Sequence, residues 1–108
     1  MKKHNDFIEN LNILDGIITY NSFDIDETVP FQEQWYSYNE DILQIKFGDR
    51  ITLDVGWYPE GDPKGKFMVK AVLDDDWLNP ISKIKCRNLS ELKRAIEKTA
   101  LLINEKRK

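Results

Sequence analysis

The sequence predicts an α+β fold. An antiparallel β-meander is covered on its apolar face by a C-terminal α-helix, and a short helix lies near the N-terminus. Two observations carry this prediction. Apolar residues recur at helical spacing toward the C-terminus, and the middle of the chain alternates apolar and polar residues with period two, punctuated by turn signals. The 108 residues fit one domain, residues 1–108, with no repeat, low-complexity stretch or linker dividing them.

From the N-terminus, Asp6 and Glu9 can cap a short helix over Phe7, Ile8, Leu11 and Leu14, ended by Gly16. Asp15-Gly16, between Ile13-Leu14 and Ile17-Ile18, also reads as a hairpin turn. The helix, followed by a strand at 17–23, is the reading adopted. Residues Gln34 to Tyr38 are expected to add a strand beside Ile42 to Phe47. In that latter run, alternation puts Leu43, Ile45 and Phe47 on one face. In the next run Ile51, Leu53, Val55 and Trp57 share a face, and Gly48-Asp49 between the two is a two-residue hairpin signal. A third run, Lys66 to Leu73, turns Phe67, Val69, Ala71 and Leu73 inward. Pro59, Gly61, Pro63 and Gly65 forbid regular structure in the connection before it. Asn79-Pro80 leads into a fourth run, Ile81 to Cys86. The last element is a helix over 89–105. Leu89, Leu92, Ala95, Ile96, Ala100 and Ile103 form its stripe, Asn88 with Glu91 its capping box, and Lys106 to Lys108 complement its dipole.

Composition narrows the function classes. Hydrophobic residues make up 41% and charged residues 32%, which is a globular balance. A single cysteine, Cys86, forms no internal disulfide. The N-terminal stretch lacks a signal core and no run approaches a membrane span, so a cytoplasmic location is expected. The net charge is −3, and it is unevenly distributed. From His4 to Asp62 there are 13 carboxylates against Lys46 and Arg50, a net of −11. From Pro63 to Lys108, 12 bases against six acids give +6. Such asymmetry can mark an interaction surface. The acidic pI of 5.2 argues against direct nucleic-acid binding.

Catalytic equipment is sparse, and no enzyme activity or cofactor is expected. His4 is the only histidine, and Cys86 alternates with Ile84 as a buried strand thiol does. One cysteine and one histidine do not make a zinc site. Asp24, Asp26 and Glu27 lack the glycine and distal glutamate of a calcium loop and read as a solvated loop. The five glycines are too scattered to cradle phosphate. What remains is a set of rings and carboxylates. Trp57 and Trp77 sit at or just past strand ends beside acidic loops, and Tyr58 follows Trp57 on the opposite face. Trp and Tyr are favoured at partner-binding hot spots, and carboxylates make strong bonds to Arg and Lys. The expected partner-binding residues are Asp54, Trp57, Tyr58, Glu60, Asp62, Asp74, Asp75 and Asp76, with Trp57 the main ring contact.

Leu53-Asp54-Val55-Gly56-Trp57-Tyr58-Pro59-Glu60-Gly61-Asp62-Pro63-Lys64-Gly65 and Asp75-Asp76-Trp77-Leu78-Asn79-Pro80, with the helix starting near Leu89, carry a resemblance over residues 42–104. They resemble small immunity proteins of bacterial polymorphic-toxin and contact-dependent growth inhibition systems. The resemblance implies a cytoplasmic protein that binds the C-terminal domain of one cognate toxin and covers its active site or substrate path. Many such toxins are nucleases with basic clefts, and opposite charge speeds encounter and enforces partner choice. The alternative is a non-catalytic adaptor or regulatory binding domain.

Overall fold

A computed structural model describes residues 4–107. In it the chain folds in the order α1 (His4–Glu9), β1 (Ile17–Asn21), α2 (Phe31–Gln34), β2 (Leu43–Phe47), β3 (Ile51–Tyr58), β4 (Lys66–Leu73), β5 (Ser82–Cys86) and α3 (Leu89–Lys106). The five strands form one antiparallel sheet with spatial order equal to sequence order; the connections after β2 are short, while the one from β1 to β2 carries α2. This is the α+β architecture read from the sequence.

Strand alternation divides the sheet into two faces of different character. One face carries Leu43, Ile45 and Phe47, then Leu53, Val55 and Trp57, then Phe67, Val69 and Ala71, then Cys86, all buried. Helix α3 packs on β3, β4 and β5 through Leu92, Ala95, Ile96, Ala100 and Ile103. Burying each such Leu or Ile side chain is worth about 1.5–3 kcal/mol, which is why this stripe selects the helix position. Phe23 and Ile25, after β1, complete the core, and the Phe7 and Phe23 rings stack at 4.8 Å. The other face carries Gln44, Lys46, Thr52, Asp54, Tyr58, Lys66, Met68, Lys70, Lys83 and Lys85, and no helix of the described residues packs on it.

The capping of α3 matches its sequence signal and adds a bond the sequence hides. Asn88 Oδ1 accepts from Glu91 N at 2.9 Å, while Glu91 Oε1 accepts from Arg87 N. The free N–H of Leu89 donates to Glu27 Oε2 at 2.7 Å, so the acidic loop after β1 ties down the helix start.

Three local expectations are corrected. Residues Gln34 to Tyr38 form the end of α2 and a 3-10 turn, Trp35–Ser37, not a strand. Both sides of β2 are already paired, with β1 and β3. Pro30 presets the helical start, and the buried Gln34 amide bonds the backbone at Asp26 and Val29, which fastens the loop 26–29 to the helix. Helix α1 ends at Glu9 and does not reach Leu14. Asn12 N donates to Glu97 Oε2 on α3, and Leu14 stands at φ 57, a left-handed turn no helix can continue through. The β2–β3 hairpin has three loop residues, because Phe47 pairs with Ile51, with Gly48 at φ 68.

Candidate protein-binding surface

Register across β3 and β4 places the two predicted acidic segments at opposite ends of the sheet. Tyr58 pairs with Lys66 at one end and Ile51 with Leu73 at the other. Seven residue steps separate them, roughly 23 Å at strand rise. Glu60 and Asp62 lie in the β3–β4 connection, and Asp74, Asp75 and Asp76 lie past the other end. A single compact patch of all eight expected residues does not exist.

At the β3–β4 end the carboxylates hold the backbone in place. Glu60 Oε1 accepts from Glu40 N at 3.0 Å, and Asp62 Oδ1 accepts from Lys64 N at 2.8 Å. Trp57 is not a surface ring. It is 6% exposed, meets Tyr38 and Phe67 edge to face at 4.7 and 4.9 Å, and its Nε1 donates to Asp62 O at 2.8 Å. Strand alternation at β3 turns Trp57 to the buried face, against Phe31, Tyr38 and Phe67, which the sequence pattern already required by placing it with Val55. Trp57 is therefore not available as a surface ring, and the exposed rings at this end are others.

Those rings are Trp35 and Tyr36. They are 55% and 61% exposed and stand edge to face at 5.9 Å. Their position depends on two glycines. A Cβ on Gly56 would run into the Glu40 carbonyl, so only glycine lets residues 39–42 lie along β3, where Trp57 N donates to Asn39 O and Ile42 N to Val55 O. Gly61, at φ 67, brings its backbone under the Trp35 ring, and its N–H donates to Tyr38 O. Behind the turn, Phe31, Tyr38, Trp57 and Phe67 form one buried ring cluster. The exposed pair thus stands on a rigid base. Glu40 and Asp41 follow on the chain, exposed, with no ion pair among the described residues.

On the open face beside this end lie Asp54 and Tyr58. Asp54 is 3% exposed and accepts from Gln44 Nε2 at 3.1 Å. Burial pushes its carboxyl above the usual range, against the opposing pull of Gln44 and of Lys70. Tyr58 donates to Glu40 O at 3.3 Å and carries the Lys70 ammonium 5.0 Å over its ring. Burial first, then Asp54, Glu40 and Asp41, push its phenol up to about 12. Glu40, Tyr58, Pro59, Lys64, Lys66, Met68 and Lys85 surround a shallow hollow of about 560 Å³.

The far end is built differently. Arg50 grips Asp74 with Nε and Nη2 at 2.9 and 2.6 Å and holds that carboxyl below its ordinary value. Asp74 and Asp75 take φ 53 and 58, a turn geometry Asp tolerates. Asp76 accepts weakly from Asn79 Nδ2 at 3.3 Å. Trp77 is 41% and Leu78 92% exposed.

Cys86 is buried, and burial raises its thiol to about 11, which keeps it protonated at neutral pH. Among the described residues there is no group of three or more His, Cys, Asp and Glu side chains that could hold a metal ion. No helix among them is long and apolar enough to cross a membrane. Comparison of the chain with family models, with curated proteins and with solved structures finds no match.

Proposed function

We propose that this protein acts by binding another protein, and that the partner is a basic, nuclease-like toxin domain whose active site or substrate path it covers. The carrying observation is the exposed Trp35–Tyr36 pair, held on a buried ring cluster and bordered by Glu40, Asp41 and Glu60. Rings fixed in advance lose little freedom on binding, and anchors of this type dominate interface energies. The neighbouring carboxylates offer charge-assisted bonds to Arg and Lys. Rings and acids standing together on one edge suit contact with a protein surface. The toxin identity rests on the turn motifs noted above and on the acidic N-terminal half, which suits a basic cleft.

The test is a pull-down against the C-terminal domain of the polypeptide encoded immediately upstream, with a growth assay of that domain expressed alone. One-to-one binding with rescue of growth supports the reading. Trp35→Ala with Tyr36→Ala is expected to weaken the complex roughly 30-fold or more, about 2 kcal/mol. Reversal of Asp74, Asp75 and Asp76 together to Lys is expected to change affinity by no more than a few fold, as for charges outside the contact. The opposite ranking moves the interface to the far end. No binding and no toxicity sinks the toxin reading.

A further inference from the structure

The two edge strands of the sheet are unlike each other. β5 carries Lys83 and Lys85, both exposed, and Arg87 follows it. Lysines on an edge are a common guard against strand addition. β1 has no charged guard, although an irregularity interrupts its register between Ile18 and Tyr20. Its residues Ile17, Ile18, Thr19, Tyr20 and Asn21 are all exposed, Ile17 at 69%, with no charge and no proline among them. Among the described residues β1 pairs only with β2, and no strand lies on its outer side.

Surroundings select what this edge can accept. Asn21 pairs with Leu43, so the Tyr20–Asn21 end of β1 lies at the same end of the sheet as Trp35 and Tyr36. Ser22, next on the chain, donates its Oγ to Asp41 O at 3.1 Å, which brings Glu40 and Asp41 alongside. Tyr20, Gln44 and Asp41 line a hollow of about 210 Å³ beside the strand. An aromatic ring, an amide and a carboxylate around a small hollow match the aliphatic stem and charged head of Arg or Lys. Among the described residues, the cations near the strand both lie toward its other end, where Lys46 faces Ile17 and Arg107 is held by Asp15 at 3.0 Å.

We propose that the free edge of β1 takes a β-strand from a basic partner, seating an Arg or Lys side chain in the Tyr20–Gln44–Asp41 hollow. The incoming strand gains main-chain hydrogen bonds along 17–21, and the hollow supplies its register and its preference for basic sequence. A second copy of this chain fits less well. The register shift between Ile18 and Tyr20 sits in mid-strand, so two-fold pairing would set one irregularity against another. The partner's identity rests on the function proposed above; the chemistry of the edge does not.

The experiment is therefore run with a probe independent of the toxin. A short peptide alternating valine and arginine is titrated into the full chain while backbone amide signals are followed by NMR, with a valine–glutamate peptide as counterpart. Shifts confined to 17–21 and to Asp41, absent with the acidic peptide, are expected. Asp41→Asn, an exposed change, is expected to weaken the basic peptide about tenfold, and Tyr20→Lys to abolish its binding. Shifts at β5, equal response to both peptides, or no response overturns the proposal. So does sedimentation as a dimer that Tyr20→Lys dissolves, since the occupant is then a second copy. Peptide binding without binding of the upstream polypeptide leaves the edge standing and removes the toxin. Binding of that polypeptide by the wild type and equally by Tyr20→Lys removes the edge and leaves the toxin.

Discussion

The two ends of the sheet carry the same ingredients, a tryptophan and several carboxylates, and use them in opposite ways. At the β3–β4 end Trp57 is buried, Glu60 and Asp62 bind backbone N–H groups, and the exposed rings are Trp35 and Tyr36. At the β4–β5 end Trp77 and Leu78 are exposed, and Asp74 is spent on Arg50. The difference lies in what stands behind the turn. One turn rests on a cluster of four rings, while the other is an eight-residue connection, 74–81, held by backbone hydrogen bonds and the Arg50–Asp74 pair with its own tryptophan left exposed. Similar composition yields a preorganised edge in one place and a solvated turn in the other.

The largest test of that contrast replaces each tryptophan in turn. Trp57→Ala is expected to cost about 3–5 kcal/mol of stability, from the lost ring packing and the orphaned Asp62 carbonyl. Trp77→Ala is expected to cost about 1 kcal/mol or less, as for a surface change. Urea unfolding of the two variants measures both, and similar losses would erase the distinction drawn here. Gly56→Ala comes next. Its Cβ meets the Glu40 carbonyl, so residues 39–42 must move off β3, at about 1–3 kcal/mol, with altered near-ultraviolet circular dichroism from the ring cluster.

Acid distinguishes two carboxylates by sign. Asp54, midway along β3 on the open face, has a raised folded pKa. Its contribution to stability is fully present below the unfolded value of about 3.9 and is lost as pH rises through its higher folded value. Asp54→Asn is therefore expected to raise the melting temperature at neutral pH, with the gain shrinking as the solution is acidified below that window. Asp74, at the β4–β5 end, has a lowered folded pKa from its bond to Arg50. Its contribution is present above about 3.9 and is lost as pH falls through its lower folded value. Arg50→Ala removes that loss. Its effect is the smallest of the set, because the pair is exposed and screened by salt. Melting curves of both variants between acid and neutral pH check the two signs together.

Much of the fold was legible because it is written in local periodicity. Period two along β2, β3 and β4 and period 3.6 along α3 set which residues face inward, and Asn88 with Glu91 marked the helix start. The N-terminal third was less legible, since its elements are held by distant groups. Asn12 reaches Glu97 on α3, Glu27 reaches the first N–H of α3, and Gln34 is a strand-like residue in sequence until its amide finds the loop backbone. The surface rings were misassigned for a related reason. Alternation had already put Trp57 with Val55 on the covered face, whereas the exposure of Trp35 and Tyr36 follows from a 3-10 turn that β1 forces by taking the place beside β2.

The sequence by itself determined the meander, the covering helix and the chemical class of the surface, because side-chain alternation and charge are properties of neighbouring residues. Only the tertiary structure decided which carboxylates stand together, which tryptophan is exposed and which edge strand is left without a charged guard. Those depend on strand register and on contacts between residues as much as 92 positions apart, which no local pattern encodes.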